Sequence, residues 1–213
     1  TETFGVEVLN VIGSAETYLG YFMDRTGEVV PGSAGKITPM VEVRIVDENG
    51  AEVPRGETGT LWVRSEASGW SYHMDHEKTK KTFLGHDWIN TNDLFAEDEN
   101  GYFWYHGRAD DLIKVSGVYV APLEIEKCIE GHGSVRECAV LGLKDTDGLL
   151  KTKAFIGLKD GFEGSEKLSE DIQKYCREKM ASYKAPRHIE FFDELPKTGQ
   201  GKIDKRQLRE RGL

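Results

Sequence analysis

A lysine in a glycine-rich turn near the end of the chain has the type and setting to act on a phosphate. Lys202 follows Gly199 and Gly201 in the stretch PKTGQGK. Glycine lets the backbone approach a ligand closely, and the four-carbon lysine stem carries a compact positive charge. The same lysine lies in a basic tail with Lys197 and Lys205, and such a charge run is usually a solvated surface. The turn therefore predicts a phosphate-binding lysine only if other residues of the chain also suit a phosphate ligand.

An aspartate and an arginine in the middle of the chain are of the types that bind a nucleotide sugar. Asp93 stands at the edge of an apolar run, where its carboxylate could accept two hydrogen bonds from ribose hydroxyls. Arg108 supplies a forked, permanently charged donor suited to ribose or phosphate oxygens. Taken alone, Asp93 is more often a solvated turn residue, and Arg108 is more often a surface ion-pair residue. The surrounding order of residues decides between these interpretations.

Four segments follow one another along the chain: GSAET at 13–17, TND at 91–93, a stretch at 107–126, and Lys202. This series resembles the acyl-CoA synthetase and adenylation-domain superfamily, which forms acyl adenylates and also contains luciferases and peptide-synthetase adenylation domains. The resemblance spans nearly the whole chain. Within the superfamily, the benzoate-CoA ligase branch is the most similar.

The resemblance implies an AMP-forming acyl-CoA ligase. A carboxylic acid, benzoate-like or another acyl acid, would react with ATP to give an acyl adenylate and pyrophosphate. Coenzyme A would then give the thioester and AMP, so the implied partners are the acid, ATP with Mg²⁺, and coenzyme A. Two alternatives stay open: a peptide-synthetase adenylation domain that loads a carrier protein, and a non-catalytic nucleotide-binding or interaction module.

The resemblance also implies roles for individual residues. Lys202 would act in adenylation and Lys114 in thiol transfer, with Asp110 as the hinge between the two states. Ser116 and Gly117 would leave room for coenzyme A. The implied nucleotide-binding residues are Gly13, Ser14, Glu16, Asp93 and Arg108, and Glu16 would also hold Mg²⁺ through ATP.

Three positions depart from the family pattern. Ile12 replaces an aromatic residue, so stacking on adenine at this position is lost. Ala15 replaces a threonine and removes a hydroxyl contact to phosphate, for which Ser14 or Thr17 is the candidate substitute. Asn92 replaces the glycine of the usual Thr-Gly-Asp and so changes the residue that sets the local backbone.

Hydrophobic periodicity divides the chain into two regions. Residues 30–106 alternate apolar and polar positions between turn signals, which predicts a small antiparallel β-meander or barrel. Beyond it, strands alternate with helices, which predicts an α+β unit whose sheet carries helices on one face. The predicted fold class is α+β. Residues 1–109 are expected to be the C-terminal portion of a large nucleotide- and acid-binding domain, and residues 110–213 a mobile domain.

Local signals predict several element ends. Residues 6–11 have the composition of a strand. Pro122 suits the first position of a helix, because its missing N–H costs nothing there. An apolar stripe from Leu168 to Met180 predicts a second helix, with Ser169 as a candidate N-cap.

The composition narrows the possible functions. A formal charge of -9 over 213 residues argues against nucleic acid as a partner, because that binding uses a basic surface. No apolar run approaches the roughly 20 residues needed to cross a bilayer, and no secretory signal is visible, so a cytoplasmic protein is expected. The three cysteines lack metal-type spacing and are expected to be reduced packing residues. A homo-oligomer stays open.

The chain starts at Thr1, and the phosphate loop that the resemblance implies would precede it. We therefore expect a C-terminal fragment that cannot form an adenylate by itself.

Overall fold

The chain divides into two units, Thr1–Asp110 and Asp111–Leu213. The first unit contains two antiparallel sheets. The structure is a computed structural model that describes residues 5–115, 117–144 and 148–212. The predicted boundary, between residues 109 and 110, lies one residue before this division. The smaller sheet holds three short strands in sequence order, β1 (Val11–Gly13), β2 (Gly20–Met23) and β3 (Lys36–Ile37).

The strand predicted over residues 6–11 is wrong for most of its length. β1 begins only at Val11, where Met23 of β2 pairs with it. Val6 and Val8 are each 60% exposed. Apolar residues form a strand only where a neighbouring strand satisfies their backbone hydrogen bonds. The described residues provide no such neighbour before Val11.

The larger sheet is a four-stranded meander, as predicted. Each strand pairs antiparallel with the next one along the chain. Within the described residues the two outer strands do not pair with each other, so the sheet is open and no barrel is formed. A short helix, α1 (His76–Thr82), lies between the second and third strands. The strands are β4 (Glu42–Val46), β5 (Gly59–Arg64), β6 (Trp88–Glu97) and β7 (Phe103–Arg108).

Aromatic residues fill the core of the first unit. The rings of Phe22 and Phe103 stack with their centroids 4.0 Å apart, and Phe95 lies 5.1 Å from Phe22. Leu61 and Val63, the alternating positions predicted to face the core, are fully buried in the same cluster. This packing holds β6 and β7 in register, and that register sets the positions of Asp93 and Arg108.

The second unit combines a hairpin, a three-stranded sheet and helices. The hairpin precedes the first helix, which begins at Pro122 as predicted. In the three-stranded sheet, one pair of strands is antiparallel and the last strand is parallel to its neighbour. The elements are β8 (Ile113–Val115), β9 (Val118–Val120), α2 (Pro122–Glu130), β10 (Val135–Lys144), β11 (Leu150–Leu158), α3 (Glu166–Lys179), β12 (His188–Phe192) and α4 (Lys205–Arg209).

Both faces of this sheet are buried, whereas helices were predicted on one face only. On one face, α2 and α3 pack Ile129 and Ile172 against Val140. On the other face, Leu195 and Leu208 of the C-terminal segment pack against the strands in a separate cluster with Phe155. The segment that carries the glycine-rich turn is therefore attached to the sheet by its own apolar residues.

The predicted cap of the second long helix is also wrong. α3 begins one turn earlier than expected, and its N-cap is Ser165, whose side chain accepts a hydrogen bond from the Leu168 amide. Ser169 lies inside the helix, since its own amide donates to the Ser165 carbonyl. Within the described ranges, every helix is too short or too polar to cross a lipid bilayer.

Candidate active site

Asp93 and Arg108 face each other across β6 and β7. They are cross-strand partners, and Arg108 Nη1 lies 3.3 Å from Asp93 Oδ1. The same nitrogen donates to the Thr91 carbonyl at 3.2 Å, and Arg108 Nε donates to Asp110 Oδ1 at 3.4 Å. The two residues singled out separately in the sequence therefore form one ion pair. The pairing follows from strand register, which brings positions distant in sequence together.

Burial governs the electrostatics of this pair. It raises the pKa of Asp93 above its ordinary value, although the attraction of Arg108 opposes the shift. Burial would lower the pKa of Arg108, but Asp93 and Asp110 outweigh it and raise that pKa. Asp93 is the more buried partner, with its side chain 17% exposed against 42% for Arg108. A ligand with hydroxyl donors would satisfy such a partly desolvated carboxylate.

Asn92 adopts the left-handed backbone conformation that glycine favours. Its φ is 59°, and its amide donates to the Asn90 side chain at 2.9 Å. Asparagine tolerates this region better than other non-glycine residues because its short polar side chain can hydrogen-bond locally. The departure from the family's Thr-Gly-Asp therefore still allows the left-handed backbone conformation before Asp93.

We expect replacement of Asn92 by glycine to change the free energy of unfolding by less than about 0.5 kcal/mol, because glycine occupies positive φ without strain. Valine at this position is expected to cost about 1–2 kcal/mol, because a β-branched side chain clashes with the backbone there. Urea denaturation measures both changes, with Thr60→Val on the extended β5 as the control. Equal stability of the glycine and valine variants would contradict this explanation.

The loop between β1 and β2 carries the predicted magnesium residue. The Tyr72 hydroxyl donates to Glu16 Oε1, and the Gly69 amide donates to the Glu16 carbonyl at 2.7 Å. Burial raises the pKa of Glu16, but hydrogen bonds from Tyr72, its own backbone amide and Ser14 and the charge of Lys78 outweigh it. The pKa of Glu16 therefore lies below its ordinary value, and the side chain is an ionised carboxylate.

Gly13 and Thr17 shape the same loop. A Cβ on Gly13 would lie 2.4 Å from the Leu19 carbonyl oxygen, so only glycine fits there. The buried Thr17 hydroxyl donates within the loop, to the carbonyl oxygens of Ser14 and Leu19 at 3.1 and 3.0 Å. Thr17 is thus buried and occupied internally, whereas Ser14 lines a cavity of the first unit, so Ser14 is the better candidate for the hydroxyl contact that Ala15 cannot make.

One cavity of about 820 Å³ in the first unit brings the predicted nucleotide residues together. Its lining also contains Tyr72, Lys78 and Lys81, which the sequence interpretation missed. Lys78 lies with its Nζ 4.1 Å from the centroid of the Tyr72 ring. No local pattern marks these three residues, and only the three-dimensional structure places them in the same cavity as Glu16. The predicted residues in the lining are Gly13, Ser14, Glu16, Asp93, Arg108 and Asp110.

The donor set of this cavity fits a magnesium-bound nucleotide. Mg²⁺ is usually held by one or two carboxylates together with phosphate oxygens and water. Glu16 provides an ionised carboxylate, whereas Asp93 is engaged by Arg108 and suits the sugar instead. The two acidic residues therefore suit different parts of the ligand, Glu16 the magnesium ion and Asp93 the sugar.

In the second unit, a β-turn holds Lys202. The Thr198 amide donates to the Lys202 carbonyl at 2.7 Å, and the Gly201 amide donates to the Thr198 carbonyl at 2.9 Å. Gly201 has a φ of 77°, which explains the glycine. The Lys202 side chain is exposed, and the structure gives it no ion pair within the described ranges. Its ammonium group is thus free for a ligand.

Two residues assigned to thiol transfer, Lys114 and Gly117, lie in the β8–β9 hairpin. Lys114 is exposed, with its Nζ 5.3 Å from the centroid of the Tyr119 ring. Gly117 has a φ of 89° and open space around the position of a Cβ. Ser116 lies outside the described residues. Lys114 and Gly117 thus belong to the second unit, with Lys202, while the nucleotide-binding candidates belong to the first.

Comparison with known families gives a match within each of the two units. Residues 1–73 match the model of the AMP-binding enzyme family, and residues 124–202 match the AMP-binding enzyme C-terminal domain. The chain belongs to the AMP-binding enzyme family. The benzoate–CoA ligase of Thauera aromatica is 42% identical over 207 residues, which are 97% of this chain and 39% of that protein.

Two solved structures of AMP-binding enzymes extend the similarity to the fold. The anthranilate CoA ligase AuaEII in complex with anthranoyl-AMP gives a TM-score of 0.88 at 43% identity, over 99% of this chain and 41% of that one. A benzoate CoA ligase from Burkholderia xenovorans LB400 gives 0.87 at 40% identity, over 97% and 41%. The present AMP-binding enzyme chain thus spans about two fifths of the length of these relatives.

Proposed function

We propose that the protein is an AMP-forming acid–thiol ligase of the cytoplasm that activates an aromatic carboxylic acid and transfers it to coenzyme A. The observation that carries the proposal is the combination of Asp93, Arg108 and an ionised Glu16 around one cavity. The names of the relatives support the aromatic acid, since one acts on benzoate and another binds anthranoyl-AMP.

In the first step, a carboxylate oxygen of the acid attacks the α-phosphorus of ATP, and the bond to pyrophosphate breaks. Asp93 accepts hydrogen bonds from the ribose hydroxyls, and Arg108 donates to ribose or phosphate oxygens. Glu16 would hold Mg²⁺, which supplies charge neutralisation at the phosphates. Lys202 brings its ammonium to the negative charge that develops on the α-phosphate and on the leaving pyrophosphate.

In the second step, the thiol of coenzyme A attacks the acyl carbon and releases its proton to water, the bond between the acyl carbon and the phosphate oxygen breaks, and AMP leaves as the thioester forms. We assign Lys114 to this step and Gly117, with Ser116, to the entry of the coenzyme A arm. Asp110 is the proposed hinge, at which changes in a few backbone torsions exchange Lys202 for Lys114 at the reacting centre. The exposed Asp110 side chain and the division of the chain next to it support this assignment.

The proposal is tested with the complete protein, ATP, Mg²⁺, benzoate and coenzyme A. We expect pyrophosphate release on addition of ATP and acid, and benzoyl-CoA only when coenzyme A is also present. A product formed only on a carrier protein would favour a peptide-synthetase adenylation domain. Nucleotide binding without turnover of any carboxylic acid would contradict the ligase assignment.

We expect the 213-residue chain alone to release no pyrophosphate above background from ATP and benzoate, since it spans 39% of the length of the benzoate–CoA ligase relative. Coupled detection of pyrophosphate measures this, and the complete protein at the same concentration is the positive control. Turnover by the chain alone, abolished by Lys202→Ala, would show that all of the catalytic residues lie within these 213 positions and would contradict the expectation.

A further inference from the structure

Two ion pairs flank the turn that carries Lys202. We propose that Lys205–Glu126 and Lys197–Glu137 form a clamp that positions the Lys202 ammonium for adenylation. The proposal rests on the assigned function of Lys202, because it makes the clamp residues positioning residues that act through that lysine.

The carboxylate of Glu126 is the inner part of the clamp. Glu126 lies on α2 with only 8% of its surface exposed. Its Oε1 accepts a hydrogen bond from the Val140 amide at 2.8 Å and lies 3.0 Å from Lys205 Nζ. A buried charge is costly unless it is paired and hydrogen-bonded, so Lys205 is the counter-ion that this carboxylate requires. Through it, the start of α4 is attached to both α2 and β10.

The second pair lies on the other side of the turn. Lys197 forms an ion pair with Glu137, which belongs to β10. The side chains are 32% and 22% exposed, so this pair is partly shielded from water. Both ends of the turn are therefore attached to the sheet and its covering helix. The basic residues that looked like a solvated tail in the sequence have defined partners.

Between these attachments, the backbone has a fixed path. The bridge between Lys197 and Ile203 closes the turn, and the Asp204 amide donates to the Pro196 carbonyl at 2.8 Å. The Asp204 side chain caps α4 by accepting from the amides of Arg206 and Gln207 at 3.0 and 3.2 Å. α4 alone is too short to be a stable helix, so tertiary attachments must hold it. The clamp provides such attachments on either side of Lys202.

The consequence for catalysis concerns the placement of one charge. A displacement of about 1 Å can lower a rate about a hundredfold when a group must meet a transition state in a narrow geometry. With the clamp intact, the Lys202 backbone moves with the second unit as a fixed part of it. Without the clamp, the turn samples more positions, and adenylation should slow while thiol transfer, which does not use Lys202, should not.

The test compares Lys205→Met with the charge-neutral double variant Glu126→Gln/Lys205→Met in the complete protein. The double variant avoids a buried unpaired carboxylate, so it remains informative if the single variant fails to fold. The matched control is Lys184→Met, which breaks another ion pair of α2, with Glu124 at 2.6 Å, away from the turn. Adenylation and transfer from preformed adenylate are measured separately, together with hydrogen exchange at the amides of Thr198, Gly201 and Asp204.

We expect the double variant to lose about tenfold in the adenylation rate with transfer changed by less than about twofold. Exchange at the three amides should rise by about tenfold or more, because local opening becomes easier. Lys205→Arg should retain most of the adenylation rate, and Lys184→Met should change neither the adenylation rate nor the exchange at the three amides. Unchanged adenylation and exchange in the double variant, or equal losses in both half-reactions, would overturn the clamp.

Failure of the proposed function is distinguishable from failure of the clamp. If Lys202→Ala in the same assay shows no selective loss of adenylation, the assignment of Lys202 is wrong. The hydrogen exchange result still decides whether the Lys205–Glu126 pair holds the turn, because it does not depend on activity.

Discussion

Replacing Lys202 with alanine is expected to lower the rate of adenylate formation by about 10²–10³-fold, the usual loss when one group that stabilises a developing oxyanion is removed. Transfer of the acyl group from preformed adenylate to coenzyme A should change by less than about threefold, because the proposed mechanism uses Lys202 in the first step only. Single-turnover measurements of each half-reaction in the complete protein test this difference.

The control for this prediction is Lys174→Ala. Lys174 is an exposed lysine of α3 in the same unit, whose contact with Glu178 is at 4.0 Å. Such a surface pair contributes little to stability. We expect wild-type rates in both steps for this variant. Equal losses in both steps for Lys202→Ala would contradict a role limited to adenylation.

The second large effect is expected at Asp93. Its replacement by alanine would remove the two charge-assisted hydrogen bonds that we propose to the ribose, each contributing about 1.5–3 kcal/mol. We therefore expect kcat/KM for ATP to fall by about 10²-fold or more, and binding of AMP to weaken in calorimetry. The variant also leaves Arg108 without the carboxylate that lies 3.3 Å from it.

A double-mutant cycle with Arg108→Met isolates the pair. Residues in direct contact usually show coupling energies of about 0.5–3 kcal/mol, and we expect a value in this range for AMP binding. The matched control is Glu97→Ala, which breaks an exposed ion pair of the same strand β6, with Arg55 at 2.8 Å. If Asp93→Ala and Glu97→Ala have the same affinity for AMP, Asp93 does not bind the nucleotide.

The sequence predicted the elements that depend on local patterns. The alternation at Leu61 and Val63 predicted the meander, and Pro122 predicted the start of α2. Where the strand and barrel predictions were wrong, a long-range partner was decisive. Residues 6–10 are not a strand because no neighbouring strand pairs with them in the described structure. Likewise, the described strands leave the meander open, since local alternation says nothing about closure.

The candidate site shows the same limit. Resemblance to the family singled out Glu16, Asp93 and Lys202, whose types already suggest their chemistry. It did not indicate Tyr72, which reaches Glu16 from a segment far along the chain. Nor did it indicate that Glu126 is buried, because a glutamate within a helix normally faces water. Contacts of this kind depend on how elements pack, and no spacing within one element encodes them.

We propose that the second unit presents Lys202 to the nucleotide for adenylation and then replaces it with Lys114 for thiol transfer. Lysine footprinting by mass spectrometry in the complete protein tests this claim most directly. One sample contains ATP, Mg²⁺ and an unreactive acid analogue, the other a stable adenylate analogue and coenzyme A, and Lys174 serves as the internal reference. We predict that Lys202 is protected in the first sample only and Lys114 in the second only. The same protection of both lysines in both samples would contradict the claim.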